Sequence, residues 1–361
     1  MTTTIRRQAG LTLVELLISV ALGLLLLLGV AALFTQNKQS YRQNEDLARL
    51  QEDARFAIEE LSRDLSMAGF FAETVDPAAV FVGHNAAVEA AYENAVGANV
   101  NCGPAGLGRN WFYDFQAGLL ETSVLTADNV ANGAAAAAAF VCIDGGEFQA
   151  GTDIIGIKRS GGVASGLVDL AAAINNPAPD GAMYFRENGT RAVLFMAPSY
   201  PSAAAGADPG RIVPDPYEEW EYSPRVYYVR NFGTTAGDGV PTLCRFRLVN
   251  DGTGGTPPRL AEECIAQGVE DLQLEFGLDT DEDGSANVYV AAPTAVDLAR
   301  LVSIRVYLLM RTVQQDVGYR DDRTYTFSNR PAYVPGDRFH RRLYTTTVMV
   351  RNMNNMSQLG F

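Results

Sequence analysis

The sequence predicts an α+β fold: one long N-terminal α-helix packed on antiparallel β-sheet, with an enlarged, loop-rich β head. Three observations predict it. Residues 11–34, LTLVELLISVALGLLLLLGVAALF, are apolar apart from Glu15. Helical periodicity then continues without a proline until Pro77. The last third of the chain alternates apolar and polar residues with the period of a strand.

Twenty-four residues at 1.5 Å each reach about 36 Å, enough to cross a hydrocarbon core of about 30 Å. A ten-residue polar leader with Arg6 and Arg7 precedes them, which favours a cytoplasmic N-terminus. A cleaved secretory signal, with Gly29-Val30-Ala31 as its small-x-small site, and a plain signal anchor are the simpler readings. Against both stand the ionisable Glu15 inside the apolar run and the small Gly10 ahead of it. The helical pattern also persists beyond the membrane length. Leu47, Leu50, Ala54, Ala57, Leu61, Leu65 and Ala68 recur at spacings of three and four, while Glu45, Asp46, Arg49, Glu52, Asp53, Glu59, Glu60 and Arg63 fill the other faces. Leu11 to Met67 thus reads as one helix.

Further on, short strands are expected at Asp153 to Lys158 and Arg191 to Met196. The alanine run 134–139 and the stretch 202–210 read as loops. Pro224 to Phe232, Thr242 to Val249, Leu272 to Leu278, Val302 to Met310 and Tyr344 to Val350 read as strands. The expected organisation is a leader (1–10), a helix (11–68, with 11–34 spanning the membrane), a loop-rich part (69–223) and a C-terminal β region (224–361).

Composition narrows the function. The chain has 28 Lys+Arg against 42 Asp+Glu, a formal charge of −14, which argues against nucleic acid as a partner. Its only lysines are Lys38 and Lys158, and its only histidines are His84 and His340. Most acid–base and nucleophilic schemes therefore lack parts, and both histidines read as surface residues. No Walker A or Rossmann glycine fingerprint supplies a nucleotide site. A non-enzyme is expected.

The segment QAG-LTLVELLISV resembles the class III signal of type IV pilins and type II secretion pseudopilins. The resemblance implies cleavage by a prepilin peptidase after Gly10, methylation of the new N-terminus at Leu11, and a subunit-docking role for Glu15. Glu15 has no cation near it in its own helix, so a neighbour's α-amino group could neutralise it in an apolar filament core. Leu11 stands where phenylalanine is more usual, and the helix-breaking proline of major pilins is missing. YRQNEDLARLQEDARFAIEELSRDLSMAGFF (Tyr41 to Phe71), GVEDLQLEFGLDTDEDG, ARLVSIRVYLLMRT and HRRLYTTTVMVRNM are similar to PilW-type minor pilins. A mature chain of 361 − 10 = 351 residues is also large for a major pilin.

A type IV pilin-like fold is implied, with a non-catalytic role in initiating and capping a type IV pilus. The implied partners are other minor pilins and tip components, the prepilin peptidase, the inner-membrane assembly platform and membrane lipid. The implied location is the inner membrane with the head in the periplasm, then the pilus tip. A GspJ-like pseudopilin of a type II secretion system shares the N-terminal signal. A membrane-anchored periplasmic enzyme or binding protein would need a polar pocket that the sequence does not advertise.

Two features remain. Cys102, Cys142, Cys244 and Cys264 lack Cys-x-x-Cys spacing, which disfavours zinc and suggests two disulfides in an oxidising compartment. Three connectivities are open, and Cys102–Cys142 with Cys244–Cys264 is the local choice. Free buried thiols are the simpler reading. Asp279, Asp281 and Asp283, followed by Gly284, match the first half of an EF-hand loop, making calcium the one candidate cofactor. The twelfth position is Val290 and strands flank the loop, so this is no EF-hand. A calcium-stabilised β-loop and a solvated acidic turn stay open.

Overall fold

The computed structural model describes residues 12–71, 80–83, 85–95, 100–115, 123–161, 183–196, 206–214, 216–249 and 258–353. The chain divides into two compact units, Met1–Arg49 and Leu50–Phe361. Helix α1 (Leu13–Ser66, 54 residues) is unbroken and contributes to both. The leader, Gly10, Leu11, His84 and residues 202–205 lie outside the described residues; the rest of the 202–210 stretch is irregular until a short 3-10 helix at Pro209–Arg211.

In the first unit, α1 presents Leu13, Leu16, Leu17, Leu24 to Leu28, Leu33 and Phe34 more than half exposed. Apolar exposure on this scale is untenable in water and suits a helix whose backbone bonds are all internal and whose surroundings are hydrocarbon. Beyond it the surface turns polar, with an exposed Arg49–Glu45 pair at 3.0 Å.

The second unit is rich in antiparallel sheet. A five-stranded sheet has the order β2-β3-β7-β8-β9, built from β2 (Val124–Ala127), β3 (Ile154–Ile157), β7 (Arg225–Arg230), β8 (Thr242–Val249) and β9 (Arg259–Gln267). A four-stranded sheet has the order β11-β10-β12-β13, from β10 (Val269–Leu278), β11 (Val288–Val290), β12 (Leu301–Arg311) and β13 (Arg341–Met349). At Gly268 the chain passes from one sheet to the other with φ +78°. A Cβ there would lie 2.3 Å from the Arg311 carbonyl oxygen, so glycine is required. The expected strands of the last third are all present, within a few residues at their ends.

The middle of the chain is more ordered than its composition suggests. A third sheet, β1-β5-β4-β6, comprises β1 (Val80–Val82), β4 (Met183–Glu187), β5 (Ala192–Met196) and β6 (Glu218–Tyr222); β1 and β5 run parallel. Helix α2 (Ala86–Glu93) is capped by Asn85. The pairing of β3 with β7 carries the five-stranded sheet across the expected boundary at 223/224. The alanine run also departs from expectation. Gly133–Ala139 is a helix, α3, whose N-cap Asn132 accepts a bond from the Ala135 N–H, and Ala136 is buried. The cap and alanine's helix propensity outweigh the missing amphipathicity.

Within the second unit the α1 stripe Leu50, Ala54, Ala57, Leu61 and Leu65 is buried, in one core with Leu272, Leu274, Phe276, Ile304, Val306 and Leu308. The opposite face of β12 is covered as well: Leu309 and Tyr307 pack with Tyr325, Phe327 and Tyr333 of the 312–340 excursion. A polar seam ties α1 to the five-stranded sheet. Asp64, 2% exposed, accepts from Arg159 Nη2 at 2.5 Å and from the Tyr227 hydroxyl. One turn earlier Glu60 accepts from Arg245 Nη1 at 2.7 Å. Nearby, Lys158 is wholly buried; its Nζ donates to the Asp114 carbonyl at 2.7 Å and lies about 5 Å from the Trp111 and Phe115 ring centroids.

These buried charges have two measurable consequences. Asp64→Ala should cost about 3–5 kcal/mol in denaturant unfolding, because it leaves Arg159 and Tyr227 without their shared acceptor, whereas Arg49→Ala should cost about 0.5 kcal/mol or less. Equal costs would deny the seam its role. The second consequence concerns pH. Burial pushes the Lys158 amine down from 10.5 to about 7, against the pull of Asp114. Below pH 7 the fold carries the whole cost of that buried charge. Between pH 7 and 10.5 the unfolded chain keeps a proton the folded protein has released, so stability rises with pH by up to about 1.4 kcal/mol per unit. Lys158→Met should lose this rise between pH 7 and 9, measured as unfolding free energy at each pH.

Candidate functional site

The residues singled out by the sequence fall in three places. At the start of α1, Thr12 and Glu15 form a reciprocal cap. The Thr12 backbone N–H and hydroxyl reach Glu15 Oε2 at 3.0 and 2.9 Å, and the Glu15 N–H donates to Thr12 Oγ1 at 3.3 Å. This is the Thr-x-x-Glu capping box, which satisfies amide donors that the first helical turn leaves without partners. The carboxylate expected to need a neighbour therefore has a local partner in the single chain. The sequence carried this signal, since Thr12 stands three residues before Glu15.

The cysteines form the second place. Cys102 is bonded to Cys142 and Cys244 to Cys264, which is the local connectivity, and no cysteine is free among the described residues. Cys244 and Cys264 face each other in the β8–β9 register, so the bond crosses the hairpin. Cys102–Cys142 joins the segment before Trp111 to the end of α3, where the Val141 N–H also donates to the Gly103 carbonyl. Each loop closure contributes about 3–4 kcal/mol in the chain-entropy model.

The acidic turn between β10 and β11 is the third. One oxygen from each of Asp279, Asp281 and Asp283 lies within 4.8 Å of the others. Asp279 accepts from the backbone N–H groups of Glu282, Gly284 and Asp283 at 2.7, 2.7 and 3.3 Å. Burial opposes its ionisation, yet these donors hold its carboxyl below the usual carboxylate range. Asn287 accepts from the Thr280 N–H and hydroxyl at 3.0 and 2.9 Å. Asp279 and Asn287 are thus engaged in closing the turn, a role that needs no ion. Of the three carboxylates, Asp281 and Asp283 are exposed and fit a solvated turn.

His340 is partnered by Asp316, Nε2 to Oδ2 at 3.0 Å, and stacks on Tyr319 at 3.8 Å between ring centroids. The His340 backbone N–H also donates to Thr312 Oγ1 at 3.2 Å. Asp64 is the important residue that periodicity missed. It follows Arg63 and precedes the buried Leu65, and a carboxylate beside a buried stripe was the available signal.

The turn can be tested directly. Chelator should leave the melting temperature of the protein unchanged while Asp279→Ala lowers it, as expected for a turn closed by its own backbone donors. A fall with chelator that calcium restores would assign the turn to the cation.

Comparison with known proteins agrees with both ends of the chain. Residues 226–352, from β7 to just past β13, match the model of the PilW family, type IV pilus-assembly protein W. Residues 5–31 match the prokaryotic N-terminal methylation motif, which covers Gly10, Leu11 and Glu15. No curated protein and no solved structure matches the chain. The methylation motif and the apolar helix support membrane anchoring and association with a pilus. The two matches together support a PilW-family pilin, a type IV pilus minor pilin with a structural and assembly role.

Proposed function

We propose that this chain helps initiate type IV pilus assembly and sits at or near the pilus tip. Before assembly, 11–34 anchors it in the inner membrane with the head in the periplasm; the assembly platform then draws it out beside other minor pilins and tip components. The observation that carries the reading is the unbroken α1. Residues 13–31 of the methylation-motif match and the buried stripe from Leu50 to Leu65 lie in the same unbroken helix, which supports reading the apolar run and the head as parts of one pilin-like subunit. The size of the head supports the tip position, because a bulky subunit fits poorly inside a dense helical lattice and freely at its end.

Processing occurs after Gly10, leaving Leu11 as the methylated first residue. Glu15 then docks on the N-terminal amine of an adjacent subunit, since an unpaired carboxylate in an apolar filament core costs several kcal/mol.

The mature protein should begin at methylated Leu11 by mass spectrometry; a start near Ala32 would overturn the reading. The docking role separates from capping through two substitutions. Glu15→Gln keeps the capping box but loses the charge, whereas Glu15→Leu loses both. Both variants should reach the membrane at normal levels and fall by about tenfold in the pilus fraction of a strain lacking the native copy. Normal incorporation of Glu15→Gln would leave Glu15 a helix cap only.

A further inference from the structure

Among the described residues, the three sheets of the second unit have six edge strands, and five of them are guarded. β1 and β11 have three residues each and β2 has four, too short to template another chain. β6 carries Glu218, Glu219 and Glu221, and β9 carries Glu262 and Glu263. Short length and charge are the usual means by which proteins blunt an edge.

β13 has neither. It is nine residues long and lies at the end of the order β11-β10-β12-β13. From Leu343 to Met349 it reads LYTTTVM, with no charge, no proline and no glycine, a composition of high β-propensity. Its register fixes which backbone groups point outward. The Val350 N–H donates to the Val302 carbonyl, and the Thr312 N–H to the His340 carbonyl, so the even-numbered residues bond toward β12. The N–H and C=O groups of Leu343, Thr345, Thr347 and Met349 therefore face away from it. Among the described residues none of these groups has a backbone partner. Thr345, Thr347 and Met349 are exposed. At the start of the strand Arg342 is exposed, with no carboxylate paired to it among the described residues. Arg341 beside it is saturated by Glu270 and Asp337.

We propose that β13 is an acceptor edge for an extended segment donated by a different polypeptide, which adds a fifth strand to this sheet and sets an acidic side chain against Arg342. The donor supplies main-chain bonds to four residues of the edge, and the arginine selects the charge at one end of the donor strand. A second copy of β13 meets the charge requirement less well. Antiparallel about Thr345, it would place Val348 opposite Arg342 and leave the cation without an acid. The inference rests on β13 alone and stands apart from the docking of Glu15.

The test uses the full-length protein in detergent and two synthetic peptides, Ac-Asp-Val-Thr-Val-Thr-Val-Thr-Asp-NH2 and the same sequence with lysine at both ends. The aspartate peptide should bind at least fivefold more tightly by fluorescence anisotropy. Its binding should slow amide hydrogen exchange at Leu343, Thr345, Thr347 and Met349, while the amides of Arg342, Tyr344, Thr346 and Val348 are slow already. Thr345→Pro removes one outward N–H and should weaken binding at least tenfold with the melting temperature little changed. Thr347→Lys places a guarding charge on the edge and should act in the same direction if the proline variant folds poorly. Failure of the aspartate peptide to bind, equal binding of both peptides, or protection elsewhere than at the four outward amides would overturn the proposal. A dimer of the wild-type protein that Thr347→Lys dissolves would overturn it too, by making a second copy the occupant.

Discussion

The buried carboxylate of Asp64 is the constraint on which the second unit depends. A helix lying on a sheet through Leu50, Ala54, Ala57, Leu61 and Leu65 can slide by one turn at little cost, since the alanines present almost no relief. Asp64 removes that freedom. Its two oxygens accept from Arg159 and Tyr227, and Glu60 one turn earlier takes Arg245, which Glu263 of β9 holds from the other side at 3.1 Å. Moving α1 by one turn would bury an unmatched charge, which is dearer than any packing gained. Such a pair is a weak source of stability against an apolar replacement but a strong source of register.

The same place governs the path of the chain after α1. The Gly69 N–H donates to the Lys158 carbonyl, and the Ser160 N–H to the Phe70 carbonyl, so the end of the helix is stitched to the segment that carries Arg159. Phe71 then packs on Phe115 and Phe185 at 5.6 Å. Lys158 sits inside this junction with a carbonyl and two rings for company. Its charge is the least comfortable group there, which makes the junction sensitive to pH while Asp64 makes it specific in geometry.

How much of this was legible in the sequence depended on where the physical cause resides. α1 and the strands β7, β8, β10, β12 and β13 were readable because their apolar residues recur on one face with the period of a helix or a strand. Thr242 to Val249 was read to the residue. β9 offered no such pattern: RLAEECIAQ is rich in residues that favour helix, and it is a strand because β8 and the Cys244–Cys264 bond hold it there. β6, with EEWEY, is drawn into its sheet by the buried Arg186–Glu219 pair across from β4, a contact between residues 33 positions apart. α3 was missed because its determinant is one capping asparagine. Of the site residues, Glu15 stood out as a charge in an apolar run, whereas Asp64 was hidden among the many acids of α1. Only the fold could show which of them is buried.

The capping box changes the energetics of the proposed docking. If Glu15 were unpartnered in the single chain, an incoming α-amino group would release the full cost of a lone carboxylate. Instead, the carboxylate already accepts from the Thr12 N–H and hydroxyl. Docking then exchanges, or shares, two bonds from neutral donors for one from a charged donor. The gain is the difference between them, and charge-assisted bonds are roughly twice as strong as neutral ones. A modest difference suits an assembling subunit. On the proposed pathway, the cap would keep the Glu15 carboxylate hydrogen-bonded while the helix is still in the membrane. In the proposed docking, the neighbour's charge would prevail once both groups lie in an apolar core, where attraction between opposite charges is larger than at a wet interface.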